Sequence, residues 1–245
     1  MSEGASPPGA TDRAELVARL AHEVRGPVTT LRGLAGTALA HYEGLTDTER
    51  RDFLELIRTE ADRLERAVEQ VALALRLDAG SVRSDVGAHD AVSVVRAVVE
   101  TEDPGEHPIE VRAGAPVEAS FDPSHLTTIV RELIRNAVLY SPGHAPVVVA
   151  VRKDGDDATV EVSDRGPGIP RDRREEVFER FARWRPAGYE TVPGAGLGLF
   201  IARALVTAQG GSISIEDAPG GGTMLTLRLP GVGSRGTGDD DAADL

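Results

Sequence analysis

The chain has 245 residues, of which 40% are hydrophobic, 27% charged and 4% aromatic, which is ordinary usage for folded domains and allows two of them. Its 40 acidic residues exceed its 27 lysines and arginines, and the net charge of −13 opposes binding to the phosphate backbone of a nucleic acid. The absence of cysteine excludes disulfides, thiolate metal sites and cysteine catalysis.

Neither end of the sequence resembles a membrane anchor or a folded segment. No apolar run approaches the roughly 20 residues that span a bilayer, and the N-terminal sequence lacks the apolar core of a secretory signal. We therefore expect a cytoplasmic protein without a transmembrane segment. Residues 1–11 and 231–245 are rich in small and polar side chains, and we expect both to be disordered.

The pattern over residues 12–80 predicts a helical hairpin with a turn at residues 43–47. Asp12 is the predicted N-cap of the first helix, and Thr46 with Glu49 has the spacing of a capping box before the second. Apolar residues recur at spacings of three and four on both helices. They are Leu16, Leu20, Val24, Val28, Leu31, Leu34 and Ala35, followed by Phe53, Leu54, Ile57, Ala61, Leu64, Val68, Val71 and Leu75. One hairpin cannot bury both stripes, so we predict a homodimer that forms a four-helix bundle.

His22 lies on the first predicted helix, about 175° around from the mean direction of the apolar stripe if each residue turns about 100°. A lone exposed histidine is usually a surface residue without a role. Here Pro27 follows within the helix, where proline costs about 3 kcal/mol or more and frees a backbone carbonyl. Neutral imidazole is also a nucleophile that can carry a labile phosphoryl group. His22 is therefore the candidate acceptor of a covalent group.

Residues 81–230 alternate between strand and helix patterns. The predicted elements are a helix at 90–101, strands near 109–112 and 117–121, a helix from the N-cap Asp122 to Tyr140, a strand hairpin at 147–152 and 158–163, a helix at 197–209 and two final strands, GSISIE and TMLTLRL. Burying the apolar side of this sheet under the helices gives an α+β sandwich.

Several motifs in this sequence resemble those of the sensor histidine kinases of two-component systems. They are HEVRGP at 22–27, ELIRNAVLYSP at 132–142, DRGPGIP at 164–170, VFERFAR at 177–183, GAGLGL at 194–199 and the closing GGGTMLTLRLP. Each motif is weak alone, but together they run in the order typical of the family. The resemblance implies a dimerisation and phospho-acceptor domain at 12–80 and an ATP-binding catalytic domain of the GHKL (Bergerat) type at 81–230.

The same resemblance implies an activity and its partners. Mg–ATP would phosphorylate His22, and the phosphoryl group would pass to an aspartate on the receiver domain of a response regulator. By resemblance Glu23 polarises the His22 ring, Tyr140 packs near the nucleotide and Arg183 aids transfer. No sensory domain precedes residue 12, so we expect the signal to come from another protein.

The residue chemistry of the second domain suits ATP and Mg²⁺. Asn136 lies one helical turn after Glu132, and its amide oxygen can ligate Mg²⁺. Asp164 can accept a hydrogen bond from the amine of adenine. Five glycines allow close backbone approach or leave N–H groups for phosphates. They are Gly166 and Gly168 near the adenine, and Gly194, Gly196 and Gly198 before the next helix.

Three positions depart from the pattern of the family. Gly26 stands where many relatives have Thr or Asn to orient water, so we expect weak phosphatase activity. Glu132 replaces a frequent Asn and could act as a base or orient water. Leu139 replaces a frequent lysine, which predicts slow transfer. Two alternatives follow: a degenerate kinase that acts as a nucleotide-binding dimeric adaptor, favoured by Leu139, and a gyrase-type ATP-hydrolysing clamp, favoured by Glu132 but opposed by the hairpin with His22.

Overall fold

The computed structural model describes residues 10–233 except 103, 191 and 193, with side chains described from residue 24 onward. The chain divides into two compact units, and the main boundary falls between Asp78 and Ala79. Within the residues described, no helix combines the length and the hydropathy that a bilayer crossing requires.

The first unit is a hairpin of two long helices, α1 (Ala10–Ala40) and α2 (Asp47–Asp78), which pack against each other. Helix α1 begins two residues before Asp12, so the predicted N-cap is wrong. Alanine has the highest helix propensity of all residues, which favours extension of the helix to Ala10. Pro27 lies inside α1, as predicted.

The turn between the two helices is fixed by side chains that the sequence identified. The Thr46 N–H and hydroxyl both donate to the Glu49 carboxylate at 2.8 Å, and the Glu49 N–H donates to the Thr46 hydroxyl at 3.3 Å. The predicted capping box is therefore confirmed. Arg50 adds a second tie, since its guanidinium donates to the Tyr42 carbonyl at 2.9 Å and lies 4.7 Å from the centre of the Tyr42 ring.

Part of the apolar stripe of α2 is left uncovered by α1. Leu54, Val68 and Leu75 are 66%, 50% and 39% exposed, whereas Ile57 and Leu64 are half-buried. The exposed residues recur at multiples of seven along the helix, which places them on one line. A single hairpin therefore has one apolar seam that faces away from its own core.

Among its described residues, the second unit contains a mixed five-stranded sheet with three helices against it. Its elements are β1 (Gly87–Asp90), α3 (Ala91–Thr101), β2 (Ile109–Ala113), β3 (Glu118–Phe121), α4 (Pro123–Tyr140), β4 (Val147–Asp154), β5 (Asp157–Ser163), α5 (Gly198–Thr207), β6 (Ser212–Asp217) and β7 (Thr223–Leu229). The sheet order is β2-β4-β5-β7-β6, in which only the described pair β2–β4 is parallel. Strands β1 and β3 form a separate antiparallel pair. The predicted α+β sandwich is confirmed.

The core of the second unit lies between the sheet and the helices. It contains side chains that are at most 1% exposed on α4, α5, β5 and β7: Leu126, Ile129, Leu133, Ile201, Leu205, Val160, Leu227 and Leu229. Burial of one such side chain stabilises the fold by roughly 1.5–3 kcal/mol. The core therefore fixes the rotation of α4 about its own axis, and with it the direction of its polar side chains.

The N-terminus of α4 is held by Asp122, as the sequence predicted. Its carboxylate accepts from the Ser124 N–H at 2.8 Å, the His125 N–H at 3.3 Å and the Asp85 N–H at 2.8 Å. Burial alone would raise the pKa of Asp122, but these bonds and that of the Ser124 hydroxyl outweigh it and lower the pKa to about 2. The Asp122 N–H also donates to the Gln209 side chain at 2.6 Å.

Replacement of Asp122 by alanine should lower the free energy of unfolding at neutral pH by about 1–2 kcal/mol, because the cap is lost. A carboxylate with a depressed pKa stabilises the fold fully above about pH 4, its ordinary pKa range. That contribution disappears as the pH falls through about 2. Urea unfolding followed by the fluorescence of Trp184, the single tryptophan, should therefore show wild type and Asp122→Ala converging below about pH 4. A difference that stays constant down to pH 2 would contradict this role of the charge.

Candidate functional site

One face of α4 presents three of the predicted site residues. Glu132, Asn136 and Tyr140 are spaced four apart and therefore lie along the same side of the helix. Glu132 is only 8% exposed, whereas Asn136 and Tyr140 are half-buried. Within the described part of the chain, the Asn136 side chain makes no hydrogen bond, so its amide oxygen can accept a new ligand.

The Glu132 carboxylate lies between its own helix and the start of α5. Its Oε1 is 3.9 Å from Arg135 Nη1. A Cβ atom added to Gly198, the first residue of α5, would lie only 2.6 Å from Glu132 Oε2. Helix N-termini favour negative charge, so this is a stable place for a carboxylate. Gly198 was predicted to serve a phosphate, and the structure places it beside Glu132.

Asp164 follows β5 and forms a buried acceptor. Its Oδ1 accepts from the Gly166 N–H at 2.8 Å and from the Thr223 N–H at 2.9 Å, and its own N–H donates to the Thr223 carbonyl at 2.9 Å. Burial raises the pKa of Asp164 above its ordinary value, against the opposing hydrogen bonds from Thr223 and Gly166. Both main-chain donors end on Oδ1, which leaves Oδ2 able to accept from an amine on a ligand.

The loop after Asp164 lies against the C-terminal end of α4. A Cβ added to Gly166 would be 2.5 Å from the Tyr140 carbonyl, so only glycine allows this approach. Gly168 has a φ of +74°, in the left-handed region. The structure thus brings Gly166, two residues after Asp164, next to the Tyr140 backbone.

Two further residues contact Asp164 and were not among the predicted site residues. Thr223 pairs with its carboxylate and backbone, and a Cβ on Gly222 would lie 2.2 Å from the Asp164 carbonyl. Both belong to the closing motif GGGTMLTLRLP, for which no role in the site was predicted. The motif is visible in the sequence, but its contact with Asp164 depends on the pairing of β5 with β7 and cannot be inferred from the motif alone.

Residues 179–197, here called the lid segment, connect a short 3₁₀ turn to α5. Gly194 and Gly196 have φ values of +133° and +71°. The Gly196 carbonyl accepts from the Phe181 N–H at 2.9 Å. Arg183, predicted to aid transfer, donates a hydrogen bond to the Val192 carbonyl. These contacts join residues 181 and 183 to residues 196 and 192 within the described part of the segment.

Tyr140 joins α4 to the lid segment. Its hydroxyl donates to the Trp184 carbonyl at 3.4 Å. Its ring stacks on that of Tyr189, with the two centroids 5.9 Å apart and an angle of 29° between the rings. Tyr140, which was predicted to pack near the nucleotide, is therefore in contact with the lid segment.

The two residues predicted for the chemistry of the first unit lie in α1, but their side chains fall outside the described residues. They are His22 and Glu23. Their neighbour Gly26 is exposed, and a Cβ added to it would meet no atom within 4 Å. Its carbonyl accepts from the Thr30 hydroxyl at 3.3 Å.

The arrangement in the second unit suits a purine nucleotide with a hard cation. A buried carboxylate acceptor at Asp164 can recognise an exocyclic amine, and Gly166 lets the loop that carries it lie against α4. Asn136 supplies an oxygen of the type that Mg²⁺ prefers. The residues present therefore fit both predicted cofactors.

Comparison with protein families gives two matches in the same order as the two units. Residues 12–80 match the "His Kinase A (phospho-acceptor) domain". Residues 121–232 match the "Histidine kinase-, DNA gyrase B-, and HSP90-like ATPase". Together these matches span well over half of the chain, and the second is an ATPase family.

Individual relatives are consistent with both matches. The "Sensor-like histidine kinase SenX3" of Mycolicibacterium smegmatis is 33% identical over 222 residues, which are 89% of this chain and 57% of the relative. The "Sensor histidine kinase WalK" of Bacillus subtilis is 30% identical over 226 residues, or 89% and 37% of the two chains. The chain thus spans about half the length of these relatives, or less.

Two solved structures share the fold. The "Mycobacterial sensor histidine kinase MprB" has a TM-score of 0.52 at 31% identity, over 60% of this chain and 97% of that one. The "Acinetobacter baumannii histidine kinase AdeS" has a TM-score of 0.63 at 20% identity. The similarity covers 85% of this chain and 97% of that chain, and it supports the fold alone. From the two family matches, their order and the similarity to these kinases, the chain belongs to the sensor histidine kinases of two-component systems.

Proposed function

We propose that this chain is an ATP-dependent protein-histidine kinase that phosphorylates His22 and passes the phosphoryl group to an aspartate of a response-regulator receiver domain. Residues 12–80 would be the phospho-acceptor domain and residues 81–230 the catalytic domain. The observation that carries the proposal is that the loop after the buried Asp164 lies against Tyr140, on the helix face that also presents Glu132 and Asn136, in a chain that matches a phospho-acceptor domain.

Each part of the nucleotide has a residue to hold it. Asp164 would accept from the adenine amine through Oδ2, and Tyr140 would pack beside the ring. Gly194, Gly196 and Gly198 would approach the phosphates with their N–H groups. Asn136 would ligate Mg²⁺, which when bound neutralises the charge that develops on the phosphate oxygens.

In the transfer step, the unprotonated nitrogen of His22 attacks the γ-phosphorus. The bond between that phosphorus and the bridging oxygen breaks, and ADP leaves with the electron pair. Glu23 accepts the proton from the other ring nitrogen, and Arg183 stabilises the charge on the transferred group. Glu132 orients the reacting groups from its place one turn before Asn136. The phosphoryl group then moves from His22 to a receiver aspartate: the P–N bond breaks, a P–O bond to the carboxylate forms, and the proton returns from Glu23 to the ring, which restores neutral imidazole. Since the reaction consumes ATP, we place it in the cytoplasm.

We also propose that the chain is a homodimer. The exposed seam of α2, formed by Leu54, Ala61, Val68 and Leu75, is apolar and repeats every seven residues. A second hairpin would bury this seam in a four-helix bundle.

A second candidate is a nucleotide-binding dimeric adaptor without transfer activity. Leu139 favours it, because this side chain is 40% exposed next to Tyr140, where relatives often have a lysine. The labelling experiment below separates the two candidates, since the adaptor would bind nucleotide but leave His22 unlabelled.

With γ-labelled ATP, we expect wild-type protein to acquire label that resists base and is lost in acid, as a phosphohistidine would be. His22→Gln should abolish this label, while the affinity for nucleotide stays within about twofold of the wild-type value, because His22 and the nucleotide site lie in different domains. Asn136→Ala is the matched control. It keeps His22 but should lose both label and Mg²⁺-dependent nucleotide binding. If the His22→Gln variant acquires as much label as the wild type, another residue is the phosphoryl acceptor.

The dimer can be tested with Val68→Glu, which introduces a charge into the exposed seam of α2. We expect light scattering to show a shift from dimer to monomer mass, since burial of an unpaired carboxylate is unfavourable. Asp62→Lys is a suitable control, since this exposed residue lies about 120° around the helix from Val68. A wild-type mass of one chain at all concentrations would refute the dimer.

Gly26→Thr should increase phosphatase activity toward the phosphorylated regulator by severalfold, because a hydroxyl can hold the attacking water where glycine cannot. The open space around Gly26 accommodates the new side chain. Gly26→Ala controls for helix propensity, which alone favours alanine by about 1 kcal/mol. Loss of phosphate from purified regulator would be followed with each variant. Rapid loss of phosphate from the regulator with wild-type protein, at a rate that Gly26→Thr does not change, would show that another group positions the water.

A further inference from the structure

Glu102 forms the C-cap of α3 and lies beside α4. Its N–H donates to the Val98 carbonyl at 3.0 Å, and its side chain is 9% exposed. Arg131 Nε donates to Glu102 Oε1 at 2.5 Å, and Arg135 Nε donates to Oε2 at 3.1 Å. Two arginines one turn apart on α4 therefore meet one buried carboxylate on α3.

Only one of these two arginines also faces Glu132. Arg135 Nη1 lies 3.9 Å from Glu132 Oε1, while Nε and Nη2 of the same guanidinium point to Glu102 at 3.1 and 3.4 Å. In the part of the chain that the structure describes, Arg131 pairs with Glu102 alone. Arg135 thus bridges two buried carboxylates, and Arg131 does not.

We propose that Arg135 is a positioning residue for phosphoryl transfer, anchored by Glu102 and aligning the carboxylate of Glu132. This inference rests on the proposed kinase function. A guanidinium has donors on several edges and can serve two carboxylates at once, which a lysine ammonium on a flexible stem cannot do with the same geometry.

The surroundings of the second carboxylate oxygen of Glu132 restrict the orientation of this side chain. Oε2 lies against Gly198 at the start of α5, where a Cβ atom would be only 2.6 Å away. A carboxylate confined on one side by backbone and on the other by Arg135 has a defined orientation. Removal of Arg135 would take away one of the contacts that hold this carboxylate on the helix face that it shares with Asn136. Binding of ATP depends mainly on Asp164 and the glycines, so the loss should fall on the rate of transfer.

The test compares Arg135→Met with Arg131→Met, which removes an equivalent ion pair to the same Glu102. We expect Arg135→Met to lower the maximal rate of His22 labelling by about tenfold or more, with the KM for ATP changed by less than about threefold. Arg131→Met should keep the rate within about twofold. Arg135→Lys should not restore the rate. Equal losses of labelling rate in Arg135→Met and Arg131→Met, or a full labelling rate in Arg135→Lys, would overturn the proposal. Arg135 and Glu102 would then only hold α3 against α4.

A second measurement does not depend on catalysis. Thermal unfolding of Glu132→Gln, Arg135→Met and the double variant should show non-additive shifts in Tm, whereas the shifts for Glu132→Gln and Arg131→Met should add. If His22 of the wild-type protein acquires no label, the proposed kinase function is wrong. The comparison of Tm shifts then still tests whether Arg135 and Glu132 are coupled. Additive shifts for Arg135 and Glu132 would show that the two side chains are not coupled.

Discussion

Helix α4 has to bury one apolar face against the sheet, and the positions of the functional side chains in the second unit depend on this constraint. Leu126, Ile129 and Leu133 are completely buried, so the helix cannot rotate without exposing them. Asp122 fixes where the helix begins, and the core fixes its rotation. Glu132, Asn136 and Tyr140 therefore point to one adjacent side. The direction of these three candidate site residues is thus set largely by the apolar residues on another face of the same helix.

The sequence predicted well the features that arise from local interactions. The Thr46–Glu49 capping box and the Asp122 cap each involve residues within three positions, so their spacing alone reveals them. Strand β1 was missed, because GAHD contains no residue with high β propensity and is a strand only through its pairing with β3. The start of α1 was also misplaced, since a helix terminus has little to mark it when the neighbouring residues favour helix.

The site shows the same division between local and distant interactions. Motif order identified Asp164, Gly166 and Asn136, but not the distances between them. The contact of Thr223 with Asp164 joins residues 59 apart in sequence, and that of Arg135 with Glu102 joins residues 33 apart. Neither is visible until the sheet and the α3–α4 packing exist. Charged residues such as Arg135 also look like ordinary surface residues in a sequence, because spacing on a single helix does not show what the neighbouring helix presents.

The outer strands of the sheet have a consequence for how the molecules can associate. In the described sheet order β2-β4-β5-β7-β6, each outer strand has a neighbouring strand on one side only, and the other side is where a strand of another molecule could add. Backbone carbonyls of both outer strands already accept side-chain hydrogen bonds, from Arg96 to Ala113 at 3.5 Å and from Arg174 to Ile215 at 3.3 Å. Strand β2 carries the exposed Glu110 and Arg112, and β6 ends in the exposed Glu216 and Asp217. Such charges disfavour edge-to-edge addition and the aggregation that it causes. The exposed charges on its outer strands therefore act against association of the sheet with the sheet of a second molecule.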